Sequence, residues 1–341
     1  MKEMPKLAET LRSSKAEMLE NYCLRSKSPV FQDMLRYCEQ VAESNANILI
    51  IGESGTGKEL AARYIHACSA RCDQPFVAIN CSAYAETLLE SELFGYEQGA
   101  FTGATKSRAG KFELADHGTL FADEVGDINM STQIKLLRTI ENKAIERIGS
   151  NVSKQIEFRL ISATNKNLAA EIKANRFRED FFYRISTIVI EVPPLRKRME
   201  DLDGLIEFFL KAAQRENGKI IRSIDPVVTR FLHDYNYPGN VRELKNIIDR
   251  MVILSEDGAI TKSGLPVLFD MKVSTEDLAK PSPTKYGRII PWKEFKQRSE
   301  REYLQSVLNQ VNGNASEAAR LLEMSSRQLF NKISEYHLRR P

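Results

Sequence analysis

The stretch Gly52–Glu59 reads GESGTGKE and directly follows the apolar run Ile48–Ile51. The spacing G-x-x-x-x-G-K between a strand and a helix is typical of a phosphate-binding loop, because glycines let successive backbone N–H groups turn toward the phosphates. We predict that the whole loop binds the nucleotide through Gly52, Glu53, Ser54, Gly55, Thr56, Gly57, Lys58 and Glu59. Lys58 would reach the β- and γ-phosphates, whereas Glu59 stands where many such loops have a metal-binding Ser or Thr. The alternative is a glycine-rich turn without a nucleotide.

A second apolar run ends in two carboxylates. Gly118–Glu124 reads GTLFADE, and Asp123 follows Lys58 by 65 residues. A core strand that ends in acids can present them at the carboxyl edge of a parallel sheet. Asp123 would hold Mg²⁺, and Glu124 would orient or deprotonate the attacking water. Alone, such a strand is more often followed by a solvated turn, but together with the loop it predicts a triphosphatase that uses ATP and Mg²⁺.

Length, charge and cysteine usage limit the class of protein. The chain has 341 residues and a net charge of +3, which predicts two or three domains. From residue 285 onward, 11 Lys and Arg oppose 6 Glu, a balance of +5 that predicts a nucleic-acid surface. Five cysteines without a C-x-x-C pair predict reduced thiols. No apolar stretch approaches the roughly 20 residues of a membrane span, so we expect a cytoplasmic protein with no membrane partner.

The chain divides by periodicity and by its prolines and glycines. From Ala46 to Val192 strands and helices alternate, which predicts an α/β core with a parallel sheet covered by helices. Beyond Pro193-Pro194 only helices are predicted. The predicted segments are a helical lead-in or linker remnant 1–27, a nucleotide-binding core 28–192, a helical lid 193–270, a flexible linker 271–290 and an all-α C-terminal domain 291–341. Ser28 and Pro29 predict the start of the first helix of the core.

The segment ELFGYEQGAFTGA contains the most specific motif in the chain. Its last six residues are Gly99, Ala100, Phe101, Thr102, Gly103 and Ala104. With this motif between the two nucleotide motifs, the chain resembles the AAA+ activators of sigma-54 RNA polymerase, the NtrC-type bacterial enhancer-binding proteins, from about Ser28 to the C-terminus. The resemblance implies a loop that contacts sigma-54, with Phe101 and Thr102 at its tip. The alternative is a glycine-rich hairpin whose Phe is packed in the core.

The resemblance implies roles for three polar residues at strand ends. Asn80, which ends FVAIN, matches the residue that hydrogen-bonds the catalytic glutamate, here Glu124. Thr164 and Asn165, in ISATN, match the first sensor of the γ-phosphate. Unaided by the family, Asn80 could be a strand-end cap, and ISATN is ordinary turn composition.

Three arginines are implied to face a nucleotide. FREDFFYRI matches the segment that supplies arginines to the neighbouring subunit, so Arg178 and Arg184 imply an oligomeric ring, usually a hexamer in this family. A surface salt bridge with Glu179 or Asp180 is the alternative. YPGNVREL matches the second sensor, with Arg242 in the first turn of a lid helix. Its alternative is a pairing with Glu243 or another carboxylate.

The C-terminal segment NASEAARLLEMSSRQLFNKISEY resembles the Fis-type helix-turn-helix of these activators. The residues expected to face double-stranded DNA are Ser326, Arg327, Gln328, Asn331 and Lys332. Glu323 replaces the glycine that is frequent in the turn. A three-helix interaction module without DNA is the alternative. The preceding helix, with Trp292, Phe295, Tyr303 and Leu304, is expected to form a dimerisation face.

These features predict a bacterial activator that binds enhancer DNA, assembles as a ring and uses ATP hydrolysis to remodel sigma-54 RNA polymerase holoenzyme. Two other classes stay open: a DNA-binding repressor or adaptor on the same fold, and a protein-unfolding ATPase. The family commonly carries a larger N-terminal regulatory domain, whereas 27 residues precede the core here. We therefore expect a separate regulator, control by concentration, or a longer parent protein.

Overall fold

The computed structural model describes residues 26–265, 300–301, 303–305, 307–309, 311, 314–322 and 324–336. The chain forms two compact units divided between residues 266 and 267. The predicted linker 271–290, Trp292, Phe295 and Glu323 lie outside the described residues. None of the helices in these described ranges is long and apolar enough to cross a bilayer.

A five-stranded parallel sheet forms the centre of the first unit. The strands of the unit are β1 Ile48–Ile51, β2 Phe76–Asn80, β3 Gly95–Tyr96, β4 Arg108–Ala109, β5 Thr119–Asp123, β6 Ala144–Glu146, β7 Ser153–Gln155, β8 Arg159–Thr164, β9 Ile188–Glu191, β10 Ser223–Ile224 and β11 Ala259–Ile260. The order of the main sheet is β2-β5-β8-β1-β9, with every pair parallel. Its register places Asn80 opposite Asp123 and Ile51 opposite Thr164. The carboxyl ends of the strands therefore meet at one edge, as the sequence predicts.

Helices cover both faces of this sheet and continue into the lid. Those of the first unit are α1 Pro29–Ala42, α2 Lys58–Ala67, α3 Glu86–Phe94, α4 Lys111–Leu114, α5 Met130–Asn142, α6 Leu168–Lys173, α7 Glu179–Ile185, α8 Leu202–Asn217, α9 Pro226–Asp234 and α10 Asn240–Ile253. The alternation predicted for the core and the helical lid are confirmed. The two hairpins β3–β4 and β6–β7 were not predicted, because strands of two or three residues are too short to show a period-2 pattern.

Strand β1 separates two apolar cores. Its residue Leu49 packs in one cluster, whereas Ile48 and Ile50 pack in the other. The first cluster joins the sheet to helices such as α5, and the second joins it to α1 and α2. Because successive side chains of a strand point to opposite faces, a continuous apolar run is what a strand covered on both faces requires.

The start of α1 corrects a detail of the prediction. Ser28 is at the N-cap position and Pro29 begins the helix, but the Ser28 hydroxyl makes no capping bond. The buried carboxylate of Asp201 instead holds the chain just before the helix, since its Oδ1 accepts from the backbone N–H groups of Lys27 at 2.6 Å and Ser28 at 3.2 Å. A carboxylate is a stronger acceptor than a hydroxyl at a helix N-terminus.

The second unit is a small helical domain. Its helices α11 Ala315–Leu321 and α12 Ser326–Glu335 pack on helical residues that include Leu304 and Leu308. Ala318 of α11 and Leu329 of α12 are fully buried in this core. Leu304 is also buried within this core, so it does not belong to an exposed dimerisation face as predicted.

His66 lies buried between α2 and the sheet. Its Nδ1 is 2.9 Å from the Thr119 hydroxyl, and its ring packs against Phe76. Burial, with the nearby positive charge of Arg159, lowers the pKa of His66 from 6.5 to about 4. The folded protein therefore binds fewer protons than the unfolded chain between these two values, and the free energy of unfolding decreases as the pH falls through that interval.

We expect His66→Gln to weaken this acid sensitivity. Between pH 7.5 and pH 5 the native histidine lowers the free energy of unfolding by about 1–2 kcal/mol, which the uncharged Gln does not. Urea unfolding at both pH values, followed by circular dichroism, measures the difference. His233→Gln is the control, because His233 is about half exposed. Equal pH dependence of His66→Gln and the native protein would contradict the assignment.

Candidate functional site

The loop Gly52–Glu59 joins β1 to α2 at the carboxyl edge of the sheet. Gly52 N–H donates to the Thr164 carbonyl at 3.3 Å, which fixes the start of the loop beside β8. Gly57 has a φ of +101° at the N-cap of α2, a conformation that favours glycine. Lys58 is only 6 % exposed, and its Nζ donates to the Gly52 carbonyl at 3.0 Å. The loop and the N-terminus of α2 thus present N–H groups and an ammonium ion to a phosphate.

The two predicted acids lie close to this lysine. Glu124 Oε1 is 3.5 Å from Lys58 Nζ, and Glu124 Oε2 accepts from the Asn165 N–H at 3.1 Å. Glu124 itself has left-handed backbone angles, with φ +53°, which are uncommon for a residue with a side chain. Burial and the neighbouring Glu124 raise the pKa of Asp123. The ends of β1, β5 and β8 therefore bring together the Lys58 ammonium ion and the carboxylates of Asp123 and Glu124.

This donor set fits Mg²⁺ bound chiefly by the nucleotide. No cluster of three or more His, Cys, Asp or Glu that could hold a metal occurs among the described residues. Mg²⁺ characteristically uses one or two carboxylates together with phosphate oxygens and water. A divalent cation would also relieve the repulsion that raises the pKa of Asp123. Asp123 is accordingly the residue suited to hold the ion.

Two predicted contacts differ from the structure. Asn80 Oδ1 accepts from the N–H and hydroxyl of Ser82 at 3.0 and 2.8 Å, and no hydrogen bond joins Asn80 to Glu124 in residues 26–265. Thr164 is fully buried, so only the exposed Asn165 can offer a polar side chain at the end of β8. Local bonding at the strand ends determines these positions.

Two carboxylates of the phosphate loop have other partners. Glu59 accepts from Nε and Nη2 of Arg63 at 2.9 and 2.7 Å, one turn along α2. Glu53 accepts from both terminal nitrogens of Arg196 at 2.5 and 2.7 Å and from Asn240 Nδ2 at 3.1 Å. Nearby cations therefore hold both side chains, and the prediction that Glu53 and Glu59 bind the nucleotide depends on their backbone N–H groups.

The lid lies directly on the phosphate loop. Arg242 Nη1 donates to the Ser54 hydroxyl at 2.9 Å, and its backbone N–H donates to the Gly55 carbonyl at 3.3 Å. A Cβ on Gly55 would lie 2.3 Å from the Gly239 carbonyl oxygen, so only glycine allows this approach. Glu243 instead accepts from Gly239 N–H and the Tyr235 hydroxyl, which excludes its pairing with Arg242. Arg242 is thus placed at the loop, as the sequence predicts.

An apolar cavity of about 120 Å³ adjoins the loop and was not predicted. Its walls are Phe31 and Leu35 of α1, Gly57 of the loop, Phe208 of α8 and Val241 of α10. Distant apolar residues form it, so no local sequence pattern could indicate it. Its position beside the phosphate loop and its aromatic wall suit a purine base.

The two arginines predicted to act on a neighbour lie on or beside α7. Arg178 forms a bidentate pair with Asp180 at 3.0 and 2.6 Å, which is the surface salt bridge considered as the alternative. Arg184 is exposed, and its Nη2 lies 3.5 Å from the Ile140 carbonyl oxygen. Neither arginine bonds to the phosphate loop of its own chain.

The GAFTGA segment is a closed, exposed loop. Gly99 N–H donates to the Ala104 carbonyl at 2.9 Å, and Ala104 N–H donates to the Phe101 carbonyl at 3.0 Å. Gly103 has a φ of +105°. Phe101 is 43 % exposed, and its ring lies edge-to-face with that of Tyr96, with centroids 5.0 Å apart. The alternative of a core-packed Phe is therefore wrong.

A second loop, between β6 and β7, supports the first. Arg147 pairs with Glu97 at 3.0 Å and, in bidentate form, with the nearly buried Glu113 at 2.7 and 2.8 Å. Gly149 closely approaches Ala100. Sequence reasoning missed this contact, because it joins three segments that are far apart in the chain.

The DNA-facing residues are only partly available. Ser326, Arg327 and Asn331 are exposed on α12. Gln328 instead forms a capping box with Ser325 at the start of that helix. Lys332 pairs with Glu300 at 2.5 Å. We therefore correct the expectation that all five side chains are free to meet DNA.

The fold and the site define a P-loop ATPase of the AAA+ class with a helical lid and a C-terminal helix-turn-helix. Three family models match the chain: the Sigma-54 interaction domain over residues 24–191, the AAA+ ATPase lid domain over 196–281, and the bacterial regulatory protein, Fis family, over 297–336. The chain belongs to the sigma-54-dependent transcriptional regulators, which confirms the predicted family. The match implies ATPase activity and DNA binding.

Individual relatives agree with this assignment. The chain is 44 % identical over 308 residues to the transcriptional regulatory protein ZraR of Salmonella typhimurium, covering 90 % of this chain and 67 % of that protein. It is 42 % identical over 311 residues to the Nif-specific regulatory protein of Azotobacter vinelandii, covering 91 % and 58 %. The crystal structure of NtrX from Brucella abortus in complex with ATP is 34 % identical, with a TM-score of 0.66 over 92 % of this chain and 69 % of that one.

We expect Glu124→Gln to bind ATP with native affinity and to hydrolyse it at least about a hundredfold more slowly, because the amide cannot accept the proton of water. Lys58→Ala removes the buried ammonium ion and is expected to abolish binding. Binding of a fluorescent ATP analogue and release of phosphate measure the two steps separately. Loss of binding in Glu124→Gln, or rapid hydrolysis by it, would contradict the assigned roles.

Proposed function

We propose that the protein is a transcription activator that couples ATP hydrolysis in an oligomeric ring to remodelling of the sigma-54 RNA polymerase closed complex. The observation that carries this proposal is that one chain holds both Glu124 within 3.5 Å of the buried Lys58 of the phosphate loop and an exposed GAFTGA loop. We also propose the domain boundaries at 192, 270 and 290 that the sequence indicates.

Hydrolysis would use the carboxyl edge of the sheet. The base of ATP fits the apolar cavity between α1, the loop and the lid. Lys58 would bind the β- and γ-phosphates, and Asp123 would hold Mg²⁺, which would neutralise phosphate charge. Glu124 lies beside Lys58 and is poised to take a proton from the attacking water. Asn165, whose N–H already bonds Glu124, links that carboxylate to the end of β8.

Completion of the site requires a second copy of the chain. Arg184 is exposed and does not contact its own phosphate loop, and Arg178 is held only by a surface ion pair. Such a pair is weak enough to exchange Asp180 for a phosphate. An arginine supplied in trans stabilises the charge of the phosphoryl transition state. This supports assembly as a ring, in which each nucleotide lies between subunits.

A direct chain path connects the site to the contact loop. β2 ends at Asn80, beside Asp123, and the chain continues through α3 to Phe101. Loss of the γ-phosphate changes the contacts available to Glu124, and a shift of α3 would carry this change to the loop. Direction comes from the different contacts of the ATP and ADP states. Exposed Ser326, Arg327 and Asn331 support binding of the C-terminal domain to enhancer DNA.

Promoter opening tests the function directly. Sigma-54 holoenzyme is placed on a linear promoter template with this protein and either ATP or a non-hydrolysable analogue, and melted DNA is detected with permanganate. We expect opening only with ATP. Measurable ATPase activity and DNA binding without opening would instead support the repressor or adaptor class.

We expect Thr102→Ala to uncouple the two activities. Thr102 lies exposed at the loop tip, far from the nucleotide contacts, so ATP hydrolysis should stay within about twofold of the native rate while promoter opening falls more than about tenfold. Thr105→Ala, exposed just beyond the motif, is the matched control. Normal promoter opening by Thr102→Ala would show that the loop does not have the proposed role.

A further inference from the structure

Glu53 makes the most extensive side-chain contacts within the phosphate loop. Its Oε2 accepts from Arg196 Nη1 at 2.7 Å and from Asn240 Nδ2 at 3.1 Å, and its Oε1 accepts from Arg196 Nη2 at 2.5 Å. Three donors from two other segments thus meet on one carboxylate. The guanidinium of Arg196, beside this group, holds the pKa of Glu53 at about 2, so the carboxylate stays charged near neutral pH.

Asn240 connects the same carboxylate to the lid. It is fully buried, it has a φ of +54°, and it begins helix α10. Its Nδ2 also donates to the Ser54 carbonyl at 3.0 Å, and its Oδ1 accepts from the Leu195 N–H at 2.9 Å. The side-chain amide of Asn240, in the first turn of the lid helix, therefore bonds both the phosphate loop and the connection that follows β9.

Arg242 lies two residues beyond Asn240, at the same surface of the loop. Its backbone N–H and its guanidinium bond Gly55 and Ser54, so small rotations of α10 would move it relative to bound phosphates. The bonded partners of the Glu53 carboxylate are Arg196 and Asn240, so this side chain is connected to Arg242 through the lid helix.

We propose that Glu53 is a positioning residue: with Asn240 and Arg196 it fixes the lid helix on the phosphate loop and so aims Arg242 at the phosphates. The inference rests on the proposed ATPase function. The conformation of the phosphate loop at Glu53 thereby affects the position of the lid. Lid tilting would require Glu53 to release Asn240 or Arg196.

Steady-state ATP hydrolysis tests the role through single and double variants. Glu53→Ala is expected to lower kcat about tenfold and to change KM by less than about threefold, since no phosphate contact is removed. Glu53→Gln keeps a carbonyl oxygen for Asn240 and is expected to retain most of the activity. Glu207→Ala is the matched control, because Glu207 is an exposed lid carboxylate with a single lysine partner.

The decisive comparison is made in an Arg242→Ala background. If Glu53 acts through Arg242, adding Glu53→Ala there lowers kcat by less than about twofold. The proposal would be overturned if the falls in kcat caused by Glu53→Ala and Arg242→Ala multiplied in the double variant. Full activity of Glu53→Ala, or a rise in KM as its main effect, would also overturn it.

Hydrogen exchange gives a readout that does not depend on activity. The Leu195 amide, which donates to Asn240, is expected to exchange at least about tenfold faster in Glu53→Ala than in Glu207→Ala, with the sheet amides of Ile161 and Ala163 unchanged. Unchanged protection of Leu195 would overturn the proposed hub. If the native protein lacked ATPase activity while this exchange result held, the proposed function would fail and the structural link would stand.

Discussion

The buried ammonium ion of Lys58 is the constraint on which the rest of the core depends. A charge removed from water is costly unless it is paired and hydrogen-bonded, and here the Gly52 carbonyl and the Glu124 carboxylate satisfy it. These groups follow β1 and β5, which are not neighbours, since β8 lies between them. Because all the strands of this sheet are parallel, the ends of β1, β5 and β8 lie at one edge, and the order of the strands places β8 between the two that supply the charged groups.

A second set of hydrogen bonds holds the lid on the phosphate loop. Gly55 approaches Gly239 too closely for any side chain, and Asn240 adopts left-handed angles while fully buried. Both features are unfavourable in isolation, and they persist because the Asn240 side chain makes three hydrogen bonds, two to the phosphate loop and one to Leu195. The base cavity lies between the lid and α1, whose N-terminus is held by Asp201. The phosphate loop, the lid and α1 are therefore connected around this cavity.

Sequence alone predicted strands that alternate with helices from Ala46 to Val192, because a strand buried on both faces must be a continuous apolar run between polar residues. It also predicted Lys58, Glu124 and Arg242 at one site. It did not predict that Glu53 pairs with Arg196, which is 143 residues away, or that Asp201 holds the chain just before a helix that starts 172 residues earlier. Such contacts depend on tertiary packing and leave no local pattern.

The defining feature of the GAFTGA loop is its exposed apolar tip. Phe101 remains 43 % exposed, and Gly99 and Gly103 have open space where side chains would project. An exposed ring forgoes a favourable burial of about 1.5–3 kcal/mol. The charged bonds of Arg147 with Glu97 and Glu113 hold the base of the loop, so its tip need not collapse onto the core. The ion pairs hold the base of the loop, and its apolar tip stays exposed for a partner. This arrangement allows a small change at the sheet edge to act on that partner.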